Sequence, residues 1–417
     1  MTKELRRAFE PFGFPSRLLD VAEASFEEVQ PAWLERDRTA TIVGAKVINC
    51  FQTAGLHEGH LAGSTGYGYH DLGRETYEAL LARTLDAQAA IARIQLASGT
   101  HAIVASVNAL LGPTGTLVSA TGQPYDTLRV ALTVPLERAR GNRYLEVAFS
   151  PDGSLDIPGL RSALGAAPDV VFVQRSRGYA ARHALSIAEI AEIVRVVREQ
   201  SPSSVVLVDN CYGEFVEPLE PSAVDADVVI GSLIKNPGGG LAPAGAYVAG
   251  KSEIVERIAG SIFSVGLARK VGPTLDATRW LFAGLHRAPK VVAESLKILD
   301  FAAALFTRLG YPVDPKAGAK RHDTIQAIRL GDAVALQRFT EGLQRMLPIN
   351  SRARPEPGPV PGYDDPVIMG MGSFIAGSTM ELSCDAPLRP PFEVYLQGGM
   401  DVTHGMIGVL SAAQALI

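Results

Sequence analysis

The chain has 417 residues, of which 47% are hydrophobic and 20% charged, with a formal net charge of −5 and a pI near 6.0. That is core-forming material for about two or three domains and excludes a disordered chain. The acidic balance excludes a general nucleic-acid or polyanion binder, which needs concentrated positive charge. The densest basic cluster, Arg138, Arg140 and Arg143, is short and reads as a solvated turn. Three cysteines, Cys50, Cys211 and Cys384, are odd in number and far apart, which fits a reducing compartment better than a disulfide framework. No apolar h-region follows the N-terminus and no stretch approaches the ~18 apolar residues of a membrane span. A cytoplasmic protein with no membrane and no nucleic-acid partner is expected.

Residues 1–60 read as helical, with Val29, Trp33, Ile42 and Val43 spaced among polar residues and no strand alternation. Gly63 to Tyr69, Gly-Ser-Thr-Gly-Tyr-Gly-Tyr, closes this arm. From about 75 to 250 short β-branched runs predict strands at Thr116–Ala120, Val147–Phe149, Val170–Val173, Val205–Val208 and Val228–Ile230. Helical segments such as Ile187–Arg198 separate them. Strand alternating with helix predicts an α/β fold with a mainly parallel sheet and helices on both faces. Residues 274–309 read as long helices, and 321–417 mix short strands and helices around the proline-rich loop Arg352–Gly362. No internal repeat and no low-complexity tail is present.

Sites in such sheets lie beyond the carboxyl ends of strands. There the run Val205–Val208 ends in Asp209, and the next run leads to Ser232-Leu-Ile-Lys235-Asn-Pro-Gly-Gly-Gly240. An acid and a lysine at successive strand ends point to pyridoxal 5′-phosphate. That cofactor needs an amine to bind its aldehyde and a carboxylate to keep its ring nitrogen protonated. Lys235 closes an apolar run and precedes glycines that let backbone approach a ligand.

Other segments complete such a site or have plainer uses. Ser98 at a helix start could present that helix's first amides to a phosphate, or be an ordinary cap. Tyr125, in Gly122-Gln-Pro-Tyr-Asp-Thr127, can stack on a flat ring or be a buried turn tyrosine. Tyr67, Tyr69 and Arg74 offer phenols and a guanidinium to a phosphate, or their loop packs between subunits. Arg389, fixed before Pro390 and Pro391, suits a substrate carboxylate or a structural ion pair, and Arg175 and Arg177 compete for the same role. His57-Glu-Gly-His60, His70 and His101 raise the question of a metal. Gly59 weakens a helix there and no familiar ligand spacing is completed, so no metal is expected.

These residues carry a resemblance that spans nearly the whole chain. The segments Thr65–Tyr69 with Gly73-Arg74, Ser98–Ile103, Thr121–Thr127, Gln174–Tyr179, Asp209–Phe215, Gly231–Gly240, Asp365–Met369 and Leu382–Pro391 resemble the aluminium-resistance, or methionine gamma-lyase-related, family. These are fold-type-I pyridoxal-phosphate enzymes of cysteine and methionine metabolism. The resemblance implies the fold-type-I transferase architecture, with a helical arm at 1–60, a large cofactor domain at 61–290 and a smaller C-terminal α+β domain at 291–417. It implies a homodimer or homotetramer with sites at subunit interfaces. It gives Lys235 to the cofactor aldehyde, Asp209 to the ring nitrogen, Tyr125 to stacking, and Ser98, Gly99, Thr100 and Ser232 to phosphate. The expected activity is a carbon–sulfur lyase acting on a sulfur-containing amino acid by β- or γ-elimination, giving a keto acid, ammonia and a thiol. An aminotransferase, a racemase or a non-catalytic resistance protein of the same fold are the alternatives. The chain departs from cystathionine-type lyases in having Ile234 before the lysine, Cys211 two places after the aspartate, and Tyr69 and Arg74 five positions apart where those enzymes have a Tyr-x-Arg pair.

Overall fold

A computed structural model describes residues 3–112, 114–138 and 143–417. In chain order its elements are α1 (Lys3–Phe9), α2 (Ser16–Ala54), α3 (Leu72–Thr84), β1 (Ala89–Arg93), α4 (Gly99–Leu110), β2 (Thr116–Ser119), α5 (Asp126–Arg138) and β3 (Arg143–Glu146). Then follow α6 (Ile157–Leu164), β4 (Val170–Gln174), α7 (Ile187–Gln200), β5 (Val205–Asp209), β6 (Val228–Ser232), β7 (Ala246–Gly250), α8 (Ser252–Phe263) and α9 (Thr278–Arg308). The chain closes with β8 (Val313–Asp314), β9 (Ile325–Arg329), α10 (Ala333–Gln344), β10 (Val367–Gly370), β11 (Ser383–Pro387), β12 (Glu393–Gln397) and α11 (Val402–Gln414). They group into two compact units, Val43–His286, and Met1–Ile42 together with Arg287–Ile417.

In the first unit a seven-stranded sheet runs in the order β1-β7-β6-β5-β4-β2-β3. The five strands from β6 to β3 are parallel, and β7 pairs antiparallel with both β6 and β1. The β-branched runs are buried on both faces, as interior parallel strands require. Leu117, Phe172, Leu207, Val228 and Ile230 pack on one side with residues of α4 and α8. Val118, Val171, Val173, Val206, Val208 and Val229 pack on the other with residues of α6 and α7. Each fully buried aliphatic side chain of this kind contributes about 1.5–3 kcal/mol relative to exposure. The sheet is thereby a rigid platform whose strand ends are fixed in space.

Two expectations need correction. The strand expected at Val147–Phe149 lies at Arg143–Glu146 instead. It is the edge strand, so its own residues stay exposed or half-buried, while Val147 and Phe149 follow it and pack on the core. Strands β1 and β7, rich in alanine and glycine, lacked the β-branched signal and were not anticipated. Of the basic cluster, Arg143 opens β3 and is exposed, whereas Arg140 and the Arg138 side chain lie outside the described residues.

The second unit holds an antiparallel sheet in the order β10-β11-β12-β9-β8. One face of that sheet, through Leu382, Cys384, Ala386, Val394 and Leu396, shares a core with Phe339, Leu343, Val409 and Leu410 from α10 and α11. The proline-rich loop is ordered, with Gly358 paired to Val367 through both backbone bonds. Among the described residues no helix is long and apolar enough to cross a membrane.

Candidate active site

Three neighbouring strands deliver the site. Gln174 ends β4 directly beside Asp209, which ends β5, and Ser232 ends β6. Asp209 is 4% exposed. Its Oδ1 accepts from the Cys211 amide at 3.1 Å. Burial pushes its carboxyl up to about 6, against the opposing pull of Cys211, Lys235 and Arg182. A buried acid in this condition gains strongly from a cationic partner.

Past Asp209 the chain turns sharply, with the Gly213 amide donating to the Asn210 carbonyl at 2.8 Å. Tyr212 adopts φ 70 in this turn, a left-handed conformation uncommon for a bulky residue and one that clusters at functional sites. Its purpose is visible in what the turn presents. Lys235 Nζ donates to the Tyr212 hydroxyl at 2.7 Å and lies 4.2 Å from the centre of its ring. The tyrosine therefore fixes the amine by a hydrogen bond and a cation–π contact together.

The start of α4 closes the opposite wall. A Cβ placed on Gly99 would stand 3.2 Å from Cys211 Sγ and 3.6 Å from Ser232 Cβ, so the helix end, the turn after β5 and the end of β6 meet there. The Ser98 hydroxyl caps α4 by accepting from the His101 amide at 3.0 Å. The Thr100 hydroxyl lies 2.7 Å from the Tyr125 hydroxyl. Tyr125 is also held by its backbone amide, which donates to Gln174 Oε1 at 3.0 Å. Burial and then the nearby Asp209 push its phenol well above the ordinary tyrosine range. Ser98, Gly99 and Thr100 at the start of α4, Asp209 and Ser232 at strand ends, Lys235 just past β6 and Tyr125 just before α5 thus lie in one region of the sheet's carboxyl edge.

The arginines are placed differently. Arg175 is fully buried, and its guanidinium donates to Asn210 Oδ1 at 2.8 Å and Glu217 Oε1 at 2.9 Å, with Glu220 at 3.6 Å. It braces the Tyr212 turn, lying so close to Gly213 that a Cβ there would meet Arg175 Cδ at 2.5 Å. Arg177 is buried and donates to the Ala180 carbonyl at 3.1 Å. Arg74 is 1% exposed and donates to the carbonyls of Gly68 at 2.6 Å and Gly272 at 2.7 Å. It anchors the glycine loop that presents Tyr67 and Tyr69, which are exposed with ring centres 5.6 Å apart. Arg389 belongs to the other unit and lies 3.9 Å from Asp365.

Tyr212, Gln174, Arg182 and Glu214 were not singled out from sequence. Arg182 is buried, donating to the Gln174 carbonyl at 2.8 Å, and it acts on Asp209 through space. The polar Asp-Asn-Cys-Tyr-Gly run after an apolar strand was the available signal for Tyr212; nothing local marks Arg182 or Gln174. Among the described residues no group of three or more His, Cys, Asp or Glu side chains is arranged to hold a metal ion. His57 and His60 instead cap a short turn, each satisfying a backbone amide.

Residues 18–417 match the family model described as methionine gamma-lyase. The chain belongs to the methionine gamma-lyase family. Within it, the chain is 40% identical over 378 residues to the uncharacterized protein YnbB of Bacillus subtilis (strain 168), covering 89% of this chain and 90% of that one. A solved carbon-sulfur lyase involved in aluminum resistance from Clostridium novyi NT superposes with a TM-score of 0.95, at 35% identity and 100% coverage of both chains. The pyridoxal-5′-phosphate dependent protein YhfS from Escherichia coli shares the fold at greater distance, with a TM-score of 0.61, 18% identity, and coverage of 91% and 97%. This family member therefore has the fold-type-I architecture, a mainly parallel sheet in an α/β unit.

Proposed function

We propose that the chain is a pyridoxal-phosphate-dependent carbon–sulfur lyase acting on a sulfur-containing amino acid. The observation that carries the reading is the buried Asp209 at the end of β5 and the Tyr212-held Lys235 amine three residues past the end of β6, with the start of α4 lying against Cys211 and Ser232 beside them. The donor set fits the cofactor. Asp209 is buried with an elevated carboxyl that a protonated ring nitrogen would satisfy, the first turn of α4 supplies amides for a phosphate, and Tyr125 supplies a flat face. The solved relative from Clostridium novyi NT, named a carbon-sulfur lyase, supports the same reaction class.

The chemistry that bound pyridoxal phosphate supplies is an electron-poor ring that accepts the electron pair left when the substrate Cα loses its proton. Lys235 would hold the cofactor through its amine, and its Nζ would take the Cα proton of the substrate. Tyr212 orients that nitrogen. Asp209, ionised, would keep the ring nitrogen protonated. Tyr125 and Tyr69 are the candidate donors to a departing thiolate. Ser98, Gly99, Thr100 and Ser232 would hold the phosphate, and Arg389 is the candidate for the substrate carboxylate. Arg175 acts by bracing the Tyr212 turn, and Arg74 by holding the loop of Tyr67 and Tyr69. We further propose a homodimer or homotetramer in which that exposed tyrosine pair faces a neighbouring subunit, a state that sedimentation would report.

Two measurements test the function. Purified protein incubated with pyridoxal phosphate should gain a visible band and a borohydride-stable covalent label, both absent in Lys235→Ala; a wild type without them sinks the reading. Incubation with cystathionine, cysteine and methionine should release ammonia without an added keto acid. A strict requirement for a keto acid acceptor would instead make the enzyme an aminotransferase.

A further inference from the structure

Five residues beyond Asp209, the side chain of Glu214 is fully buried. Its Oε1 accepts from the Tyr247 hydroxyl of β7 at 2.8 Å, whereas Oε2 is buried without a partner. The carboxyl reaches this place across β6 at Gly231, opposite Tyr247 in the register. A Cβ there would stand 2.4 Å from Glu214 Oε1 and 2.6 Å from the Tyr247 hydroxyl, so glycine is required for the close approach. The same residue is tied to the site by its backbone, since Asn236, next to Lys235, donates to the Glu214 carbonyl at 2.9 Å.

The groups around this carboxyl decide its charge. Tyr247 faces it from β7, Asp209 and Cys211 from the end of β5, and Glu220 from the following turn. Lys235 acts on Asp209 and Cys211, and Arg175, beside Gly213, is engaged by Glu217, Glu220 and Asn210. A buried carboxylate without a cation is strongly disfavoured, and the group avoids that state by keeping its proton. Burial first, then Glu220 and Asp209, pushes Glu214 up to about 8.

We propose that Glu214, its carboxyl enclosed between Gly231 and Tyr247 with Oε2 unpartnered, is a positioning residue of the active site that keeps its proton while Asp209 is ionised. Asp209 is then the one charged acid of the pair under working conditions, and ionisation of Glu214 adds a second negative charge that acts on it. The inference deepens the lyase reading and rests on it for its effect on the cofactor, while the proton on Glu214 stands on this chain alone.

The test has a cofactor-free and a cofactor-loaded arm. Infrared spectra of the full chain without cofactor should show a protonated-carboxyl band that disappears around pH 8 and is missing in Glu214→Gln. A wild type lacking this band, or a band unchanged in Glu214→Gln, overturns the proposal. In protein loaded with pyridoxal phosphate, the visible band should show an alkaline transition in the wild type that Glu214→Gln removes; identical titrations of the two overturn it. Tyr247→Phe serves if Glu214→Gln does not fold. The tyrosine bond lowers the Glu214 value, so its removal should move the infrared midpoint to higher pH, and no movement or a downward one overturns the idea. A protein with the infrared signature but no visible band fails the cofactor reading while keeping the proton on Glu214.

Discussion

Two polar clusters grow from the same turn after β5, and they handle charge in opposite ways. On one side Arg175 is closed off by Asn210, Glu217 and Glu220, so a buried cation and its anions neutralise one another within the protein. On the other, Asp209 has its carboxyl displaced upward by burial, answered by Cys211 and, through space, by Lys235 and Arg182. The first arrangement is what a fold needs to hold a strained turn. The second is what a binding site needs, because a desolvated acid with capacity to spare gains most when a cation arrives.

Breaking the open cluster should abolish chemistry and leave the fold. Lys235→Ala is expected to lower lyase turnover by about 10³-fold or more, with a melting temperature near wild type. Retained turnover would move the chemistry elsewhere. Breaking the closed cluster should do the reverse. Arg175→Met leaves Glu220 and Asn210 buried without their cation, an effect of about 3–5 kcal/mol, read as a lower denaturant midpoint with an unchanged m value. A loss below ~1 kcal/mol would mean that Arg175 is not what stabilises the turn.

The contrast also explains what could be read in advance. Val170–Val173, Val205–Val208 and Val228–Ile230 were legible because parallel strands buried on both faces leave an uninterrupted apolar run. Asp209 and Lys235 were legible because such runs end on them. Strands β1 and β7 were not, since alanine and a terminal glycine supply most of their positions and leave only Ile91, Tyr247 and Val248 as a β-forming signal. Arg175 and Arg177 were legible as arginines after a strand, but whether a guanidinium faces a ligand or a buried glutamate depends on residues up to 45 positions away, as with Glu220. Tyr212 escaped because its contribution comes from a backbone at φ 70, which residue type does not announce.

The pH response sharpens the comparison from the side of Asp209. Its folded value of about 6 lies above the ordinary value of 3.8, so the cofactor-free folded state holds the proton more tightly than the unfolded chain. Asp209 therefore stabilises the cofactor-free fold most at low pH, and that contribution is lost as pH rises from about 4 to 6. Pairing with a protonated ring nitrogen needs the carboxylate, so pyridoxal-phosphate affinity should change the other way. It is expected to rise up to about tenfold per pH unit below 6 and then level off. Asp209→Asn, measured beside wild type by equilibrium dialysis, should flatten that rise; parallel pH curves would detach Asp209 from the cofactor.

The smallest expected effect separates the two uses of the α4 start. The Ser98 hydroxyl is already engaged with the His101 amide as a helix cap, so Ser98→Ala should cost about 1 kcal/mol of stability. If the α4 amides carry most of the phosphate interaction, cofactor affinity in this variant should fall by less than about tenfold. Dialysis beside denaturant unfolding reads both quantities on one preparation. A larger loss of affinity with unchanged stability would show that the hydroxyl serves the phosphate directly and that α4 is capped by something else.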